Sequence, residues 1–337
     1  MSQTPKFVGI DDGYVETKIC MPDGNTFRIA SRARAGESEK IAVGDGAVPS
    51  VQTYVTGDGS FCVGDIRKAD ATASDNYPAS TLNRVIVSHA LREAGLGHKN
   101  RLAIASGLPI RRYYRSGRPN RELIRAKTAN LLKNDVRGRD GLVLAQIVSH
   151  EVFAEAVAAW VDFVIDRDAS GKLRKNDHID DCVAIIDIGG RTTDIAVVQG
   201  WEMDADRSST VNVGMLDVRR HVMEHLESEY NGITESQAIR AVETGRINAF
   251  GREIDVSEIV DQAKKTVAGR VRSEVDRCLG SAIDIQHVIF VGGTTVALKP
   301  LLRDWFPHQT IPQDPEFANA RGLQKCAEAL FGGGELS

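Results

Sequence analysis

The amino-acid sequence predicts a mixed α/β protein built from two similar domains, and three observations carry that reading. The chain has 337 residues, more than a single hydrophobic core usually organises. Strand-like and helix-like segments alternate in the same broad order in both halves. One short motif, apolar–Asp–x–Gly followed four residues later by threonine, occurs twice: Ile10-Asp11-Asp12-Gly13 with Thr17, and Ile186-Asp187-Ile188-Gly189 with Thr193.

The elements follow in order. Residues 7–10 are a short apolar run, and 16–21 and 27–30 follow at hairpin spacing. Residues 31–78 are rich in Gly, Ser and Asp and lack helical period, so they read as an insertion with weak strands. Over 80–93, Leu82, Val85, Ile86, Ala90 and Leu91 form one helical stripe that Gly95 ends. Residues 102–105 predict a buried strand closed by Gly107-Leu108-Pro109, 121–133 a helix, and 142–148 another buried strand. A helix is expected over 151–165, with Val157, Trp160, Val161 and Val164 on one face. The charged stretch 166–181 reads as the domain boundary.

The second half repeats the scheme. Strands are expected at 182–188, 194–198 and 210–213, and helices at 216–230, 236–243 and 257–279. A strand at 288–291 runs into Gly292-Gly293 and a short helix, and a last helix at 319–330 closes the chain.

Composition narrows the function classes. Hydrophobic residues make up 42% and charged residues 26%, which argues for globular domains over disorder. A formal net charge of −4 gives no global basic field for non-specific nucleic-acid binding. No apolar run is long enough to span a bilayer, and Met1 to Lys6 does not read as a signal peptide. Five scattered cysteines (Cys20, Cys62, Cys182, Cys278, Cys326) without a CxxC pair fit reduced thiols in the cytoplasm, and no structural zinc site is expected from them.

The duplicated motif has a chemistry. An aspartate at the end of a buried strand presents a carboxylate where a hard cation such as Mg²⁺ takes oxygen ligands, directly or through water. The glycine after it lets backbone N–H groups approach phosphate oxygens with no Cβ in the way. Two such hairpins facing each other would grip a nucleoside triphosphate from both sides. Asp-Gly is also a common hairpin turn, but two copies in matched contexts exceed what turn chemistry alone requires. The second copy, Asp187-Ile188-Gly189-Gly190-Arg191-Thr192-Thr193-Asp194, is richer in glycine and hydroxyls than a turn needs. A third element, Gly292-Gly293-Thr294-Thr295, breaks a buried strand into a helix start.

Asp11-x-Gly13, Asp187-x-Gly189-Gly190-x-Thr192-x-Asp194 and Gly292-Gly293 resemble the two phosphate loops and the adenosine motif of the actin/Hsp70/hexokinase superfamily. Within it the chain resembles the plasmid-segregation actin-like ATPases, the ParM or StbA family. The stretches 88–95, 108–114 and 119–130 carry that narrower likeness. The resemblance implies two RNase H-like (actin-like ATPase) domains with a nucleotide cleft between them. The first would span 1–165, with the insertion at 31–78 and a C-terminal helix, 319–337, returning to it; the second would span 166–318. The helices beginning near Glu151 and Asn319 would connect the two.

The same resemblance implies binding and hydrolysis of Mg²⁺-ATP to ADP, and assembly into dynamic cytoplasmic filaments for plasmid partition. A DNA-binding adaptor at a plasmid centromere would be the partner, with no membrane and no direct sequence-specific DNA contact. Asp11 and Asp187 would serve the metal, and Glu151 would orient the attacking water. Nucleotide contacts would come from Asp12, Gly13, Thr17, Lys18, Gly189, Gly190, Arg191, Thr192, Gly214, Gly292, Gly293 and Thr294. Two positions depart from the family pattern. Tyr14 and Val15 replace the usual hydroxyl residue after the first glycine, and His150-Glu151 replaces Pro-Glu. The alternative from another class is a small-molecule, sugar-type kinase of the same superfamily.

Two further signals point elsewhere and are outweighed. His221-Val222-Met223-Glu224-His225 matches the H-x-x-E-H zinc-peptidase pattern, yet both histidines project opposite the apolar face set by Leu216, Val222, Met223, Leu226 and Tyr230. Arg111, Arg112, Arg115, Arg118, Arg121, Arg125 and Lys127, with Tyr113 and Tyr114, form a local basic patch that reads as a solvated or protomer-contacting face.

Overall fold

The computed structural model describes residues 4–37, 51–66, 68–139 and 141–333; residues 38–50 of the expected insertion and the end of the expected C-terminal helix region, 334–337, lie outside them. Two five-stranded paths of the same design organise the chain. The first runs Gln146–Ala154, Arg101–Leu108, Lys6–Asp12, Glu16–Cys20, Thr26–Ala30. Its first three strands are parallel and its last three form an antiparallel meander. The second runs Glu202–Met203, Thr193–Gln199, Cys182–Ile188, His287–Val291, Gln309–Thr310, with Ser209–Val211 also paired to Thr193–Gln199. Here too the strand carrying the motif has a parallel neighbour on one side and its antiparallel hairpin partner on the other.

The two motif hairpins share one register. Asp11 pairs with Lys18 and Asp12 with Thr17 in the first; Asp187 pairs with Asp194 and Ile188 with Thr193 in the second. Matching sequence offsets have therefore folded into matching pairings, so that Asp11 and Asp187 occupy equivalent places.

Each sheet buries both faces. On the outer side of the first, helices Thr81–Glu93 and Arg121–Leu132 cover Val8, Ile10, Ile19, Leu102 and Ile104 with Val87, Ala90, Leu91 and Leu131. On the outer side of the second, helices Met215–Glu229 and Ser257–Leu279 place Val218, Val222, Leu226, Val267, Val271 and Val275 against Ile186, Ile188, Ile195 and Phe290. The inner faces are covered crosswise. Helix Val157–Val164 leaves the first sheet and packs Trp160, Val161 and Val164 on Val183, Ile185, Ala196 and Val198 of the second. Helix Ala318–Phe331 leaves the second and packs Leu323 and Ala327 against Ala105 of the first.

These crossing helices approach closely because the residues between them are small. A Cβ on Gly322 would overlap the Ala158 carbonyl, and one on Gly9 would overlap the Ala320 carbonyl. Three strands of the insertion join Arg137–Gly138 in a separate four-stranded sheet, ordered Arg137–Gly138, Val51–Thr56, Gly59–Gly64, Ala33–Ala35. Among the described residues no helix is long and apolar enough to cross a membrane.

One expectation is corrected. The segment expected to start a helix at residue 151 continues as strand Gln146–Ala154, and the helix occupies only Val157–Val164. The strand wins because its backbone pairs in parallel along Arg101–Leu108 as far as Ala154↔Leu108. His150, Val152 and Ala154 alternate inward on a period of two, and Ala156, at φ 61°, makes the turn. The polar stretch after it is no open linker, since Ile165–Arg167 and Leu173–Lys175 pair as a hairpin.

Gly322→Ala tests the crossing. Replacing glycine inside a helix normally gains about 0.5–1 kcal/mol. Gly269→Ala, on the exposed face of helix Ser257–Leu279 with nothing nearby, should show that gain. At Gly322 the new methyl meets backbone that has no room to yield, so urea denaturation should show a net loss of about 1–3 kcal/mol. A gain at both positions would mean the helices are not held at this separation.

A candidate nucleotide cleft between the lobes

The two motif hairpins meet across the gap between the sheets. A Cβ on Gly190 would lie 2.6 Å from Val15 Cγ2, so the second loop needs glycine where the tip of the first touches it. Beneath this contact opens a cavity of about 370 Å³. Asp11, Asp12, Gly13 and Lys18 line it from one lobe, and Asp187, Gly189, Gly190, Thr192, Gly292, Gly293 and Thr294 from the other. That volume suits a small organic ligand.

Local bonding fixes each loop. Gly189 N–H donates to the Thr192 carbonyl at 2.9 Å, closing the second turn. The Gly189 carbonyl accepts from Met215 N–H at 3.3 Å and from Thr294 Oγ1 at 2.7 Å, and the Gly190 carbonyl accepts from Leu216 N–H at 2.8 Å. Gly292 has φ 94°, and a Cβ there would overlap the Asp187 carboxylate, so only glycine lets this turn pass so close.

Two family profiles match the chain: "Actin like proteins N terminal domain" over residues 9–138, and "Archaeal actin homologue MreB-like, C-terminal" over residues 185–304. The chain belongs to the actin-like proteins. An archaeal actin homolog of Thermoplasma volcanium is 22% identical over 95% of this chain and 98% of its own length. Among solved structures, a ParM filament from Clostridium botulinum superposes with a TM-score of 0.75 at 19% identity, covering 97% of this chain and 99% of its own. The archaeal actin homolog Ta0583, solved in complex with ADP, gives 0.72 at 21%, covering 95% and 98%. The likeness to ParM proteins read from the sequence is thus borne out for family and fold.

Within this actin-like frame the two aspartates of the first motif have separate tasks. Asp12 is pinned: its Oδ1 accepts from Lys127 Nζ and its Oδ2 from Asn83 Nδ2, both at 2.7 Å. Lys127, almost fully buried, also donates to the Gly107 carbonyl, which makes it an internal brace and removes it from the basic patch assigned by sequence. Asp11 meets Lys18 Nζ at 3.4 Å. Burial works against the Lys18 ammonium, but the carboxylates of Asp11, Glu16 and Asp187 outweigh it and raise the group above its ordinary value.

Asp187 accepts from Asn319 Nδ2 at 2.6 Å, and Asn319 Oδ1 accepts Ala156 N–H at 3.1 Å. One side chain thus ties both crossing points to the site. Asp194 accepts Ile110 N–H at 2.7 Å, a bond between the lobes, and Thr210 Oγ1 at 2.5 Å.

Four expected contacts are displaced. Thr17 is buried away from the cavity, its Oγ1 3.0 Å from Ser31 Oγ, whose hydroxyl donates to the Gly13 carbonyl. Thr193 does the equivalent in the second hairpin, donating to the Val213 carbonyl. The duplicated threonines therefore brace their hairpins from behind. Gly214 sits under the second loop, donating to Asp217 Oδ2 at 3.1 Å. Arg191 lies over the Tyr14 ring at 5.1 Å and bonds Asp75 at 3.0 Å, linking the lobes outside the cavity. Glu151 is half-buried on its strand near Tyr113, whose phenol is pushed up first by burial and then by Tyr114 and Glu151.

The carboxylate lining the cavity from this segment is Glu155. It fills the space beside Gly107, where a Cβ would come 2.7 Å from Glu155 Cγ. Burial raises its pKa well above the ordinary range, and the charges of Asp194, Asp11 and Asp187 add to the rise. Sequence missed it because the motif position was counted from a helix start that is a strand.

The His221/His225 pair behaves as the sequence suggested. Val222 and Leu226 are buried, while the two rings lie toward solvent beside Glu224 and Glu229 respectively.

Asp11, Glu155 and Asp187 line the cleft, Asp194 is buried in the pair with Asp187, and the protonation of these carboxylates couples to folding. Burial first, then Asp11 and Asp194, push Asp187 up to about 7; burial pushes Asp194 up to about 6 against the hydrogen bonds from Thr210 and Ile110. An acid raised in the folded state binds its proton more tightly there than in the unfolded chain. Stability from this source is therefore complete below the unfolded value and is lost as pH rises to the folded one. Without divalent cation or nucleotide, the melting temperature should fall as pH rises from about 5 to about 7.5. Asp187→Asn should flatten that slope. Equal slopes in the two proteins would refute the assignment of the coupling to Asp187.

Proposed function

We propose that this chain is an ATPase that binds Mg²⁺-ATP between its lobes, hydrolyses it to ADP, and assembles into dynamic cytoplasmic filaments for plasmid DNA partition. The observation that carries the reading is the opposition of the two Asp–Gly hairpins across one cavity, with Asp11 and Asp187 facing it from opposite lobes. The relatives found, archaeal actin homologs and ParM filaments, favour it over a small-molecule kinase. A filament would form by head-to-tail contacts that do not close a ring, and a DNA-binding adaptor would couple it to the plasmid.

The donor set fits a hard divalent cation. Asp11 and Asp187 are oxygen ligands, buried together with raised pKa values, so a cation between them relieves both burial and mutual repulsion. When bound, Mg²⁺ supplies charge neutralisation for the β- and γ-phosphoryl oxygens. The protein does the rest by positioning. Backbone N–H groups at Gly13 and Gly190 would face phosphate oxygens and Lys18 adds positive charge, while the Gly189 N–H and the Thr294 hydroxyl, bonded to the Thr192 and Gly189 carbonyls, hold the second loop in shape. The far end of the cavity, where Met215, Val242 and Val296 give apolar surface beside Arg219, Glu243 and Lys264, takes the base and ribose.

Glu155 orients the attacking water and holds a proton in the cleft. Burial and the neighbouring carboxylates raise its pKa well above the ordinary carboxylate range, which strengthens it as a proton acceptor when ionised. Glu151 is outside the cavity lining and takes no part in this scheme.

Single-turnover phosphate release tests these roles. Glu155→Gln should slow it by ~10²–10⁴ while nucleotide still binds, whereas Glu151→Gln should leave it within about twofold, since it loses no contact to the reacting groups. The opposite ranking would restore the first assignment. Asp187→Ala should weaken Mg²⁺-dependent nucleotide binding itself. Assembly is read by ATP-dependent light scattering and pelleting; no pelleting in any nucleotide state would sink the filament reading, and transfer of phosphate to a sugar in a parallel screen would replace it.

A further inference from the structure

At the opposite end of the second sheet, three side chains converge that the nucleotide scheme leaves unused. His178 Nδ1 lies 2.8 Å from Asp181 Oδ2, and His287 Nε2 lies 3.0 Å from the same oxygen. The two imidazoles are 4.6 Å apart. Among the described residues this is the group of three ligand-type side chains whose donor atoms fall within 4.8 Å of one another. We infer that His178, Asp181 and His287 form a binding site for a borderline divalent transition ion of the Zn²⁺ type.

The chemistry of the donors selects the ion. Two imidazole nitrogens and one carboxylate oxygen suit Zn²⁺, Ni²⁺ or Co²⁺, whereas Mg²⁺ and Ca²⁺ prefer oxygen alone. Around a tetrahedral ion with bonds near 2.0–2.1 Å, neighbouring donors stand roughly 3.3 Å apart. The two nitrogen–oxygen separations of 2.8 and 3.0 Å lie within a few tenths of an ångström of that spacing, and all three donor atoms fall within 4.8 Å, so rotation of the two rings brings them around one ion. The group is half-buried, so water can complete the fourth position.

The rings are held in place by their surroundings. Phe163 stacks on His178 at 5.3 Å and leans on His287 at 5.2 Å. Asn176 fixes the loop from below: its Oδ1 accepts His178 N–H at 3.1 Å and its Nδ2 donates to the Phe163 carbonyl at 2.8 Å. Asp181 N–H donates back to the His178 carbonyl at 3.2 Å, and Val183 pairs with His287 along the parallel strands. Without an ion, both rings donate N–H to Asp181, and those bonds hold its carboxyl below the usual carboxylate range. When an ion binds, each neutral ring would carry its proton on the other ring nitrogen, leaving His178 Nδ1 and His287 Nε2 as lone-pair donors and the carboxylate as the third ligand.

This site is separate from the cleft. Asp181 precedes strand Cys182–Ile188, whose far end carries Asp187, so six residues of extended chain, roughly 20 Å, separate these two carboxylates, and His287 stands at the same end of the sheet as Asp181. Its occupant ties the loop following hairpin 165–175 to the base of the second sheet, and would stabilise that lobe in proportion to its affinity.

The test uses the untagged full chain with Mg²⁺ present to satisfy the cleft. Zn²⁺ is titrated calorimetrically, and Co²⁺ is followed by its visible d–d absorption. The wild type should take up one Zn²⁺ at micromolar concentration or below, show a tetrahedral Co²⁺ spectrum, and melt at higher temperature with Zn²⁺. His287→Gln and, on the exposed loop, His178→Gln should each weaken binding by about 10²-fold, at least the cost of losing an outer-shell partner. His221→Gln with His225→Gln should change nothing, although sequence pattern alone nominated that pair. Absence of saturable uptake by the wild type, or retained affinity in the folded His287→Gln chain, overturns the proposal. So does loss of binding in the His221/His225 double variant alone.

Discussion

The constraint on which the rest of this structure depends is the burial of four neighbouring carboxylates, three of which line one cleft. Asp11, Asp187, Asp194 and Glu155 all have raised pKa values, each with burial as the leading cause. Isolated, any of them would be expensive to ionise there, and together they repel. The fold answers with hydrogen bonds that reach in from behind: Asn319 on Asp187, Ile110 N–H and Thr210 on Asp194, Lys18 beside Asp11. That arrangement is costly to ionise in the protein alone, and under the reading proposed above a bound cation would offset that cost.

Duplication explains the frame but not the division of labour within it. Both hairpins keep a threonine that braces from behind and an aspartate at the equivalent paired position. Beyond that they diverge. The first copy has Asp12, neutralised by the buried Lys127, where the second has the apolar Ile188. The second copy has Asp194 where the first has Lys18. At the matched pair the first hairpin therefore carries a carboxylate beside a lysine and the second carries two carboxylates, so the two hairpins are not electrostatically equivalent.

Much of this was legible in the sequence because it depends on local pattern. The strand–turn–strand repeat, the glycine pair after residue 291 and the helix at Ser257–Leu279 all follow from short-range spacing, and the structure places them as read. What escaped depends on long-range pairing. The helical reading of residues 151–156 fails because Arg101–Leu108 recruits them into a sheet, and that error moved the cleft carboxylate from Glu155 to Glu151. Lys127 looked like one more exposed cation until Asp12, 115 positions away, claimed it. His178 and His287 carry no spacing signal at all, being joined only by parallel neighbours in a sheet.

The connections between the lobes differ in kind, and that difference bears on how a ligand could act at a distance. At the back, Gly322 sits against the Ala158 backbone, so the two crossing helices are in backbone contact with no room for a side chain between them. At the mouth the contacts are of another kind: Val15 against Gly190, Arg191 over the Tyr14 ring, and the ion pairs Arg191 to Asp75 at 3.0 Å and Arg32 to Glu235 at 3.7 Å, both with an exposed carboxylate that contributes little in water. Under the reading proposed above, the nucleotide is a further structural member joining the two hairpins. Loss of its terminal phosphate would remove the bridge between Gly13 and Gly190 while leaving the contact at the back intact.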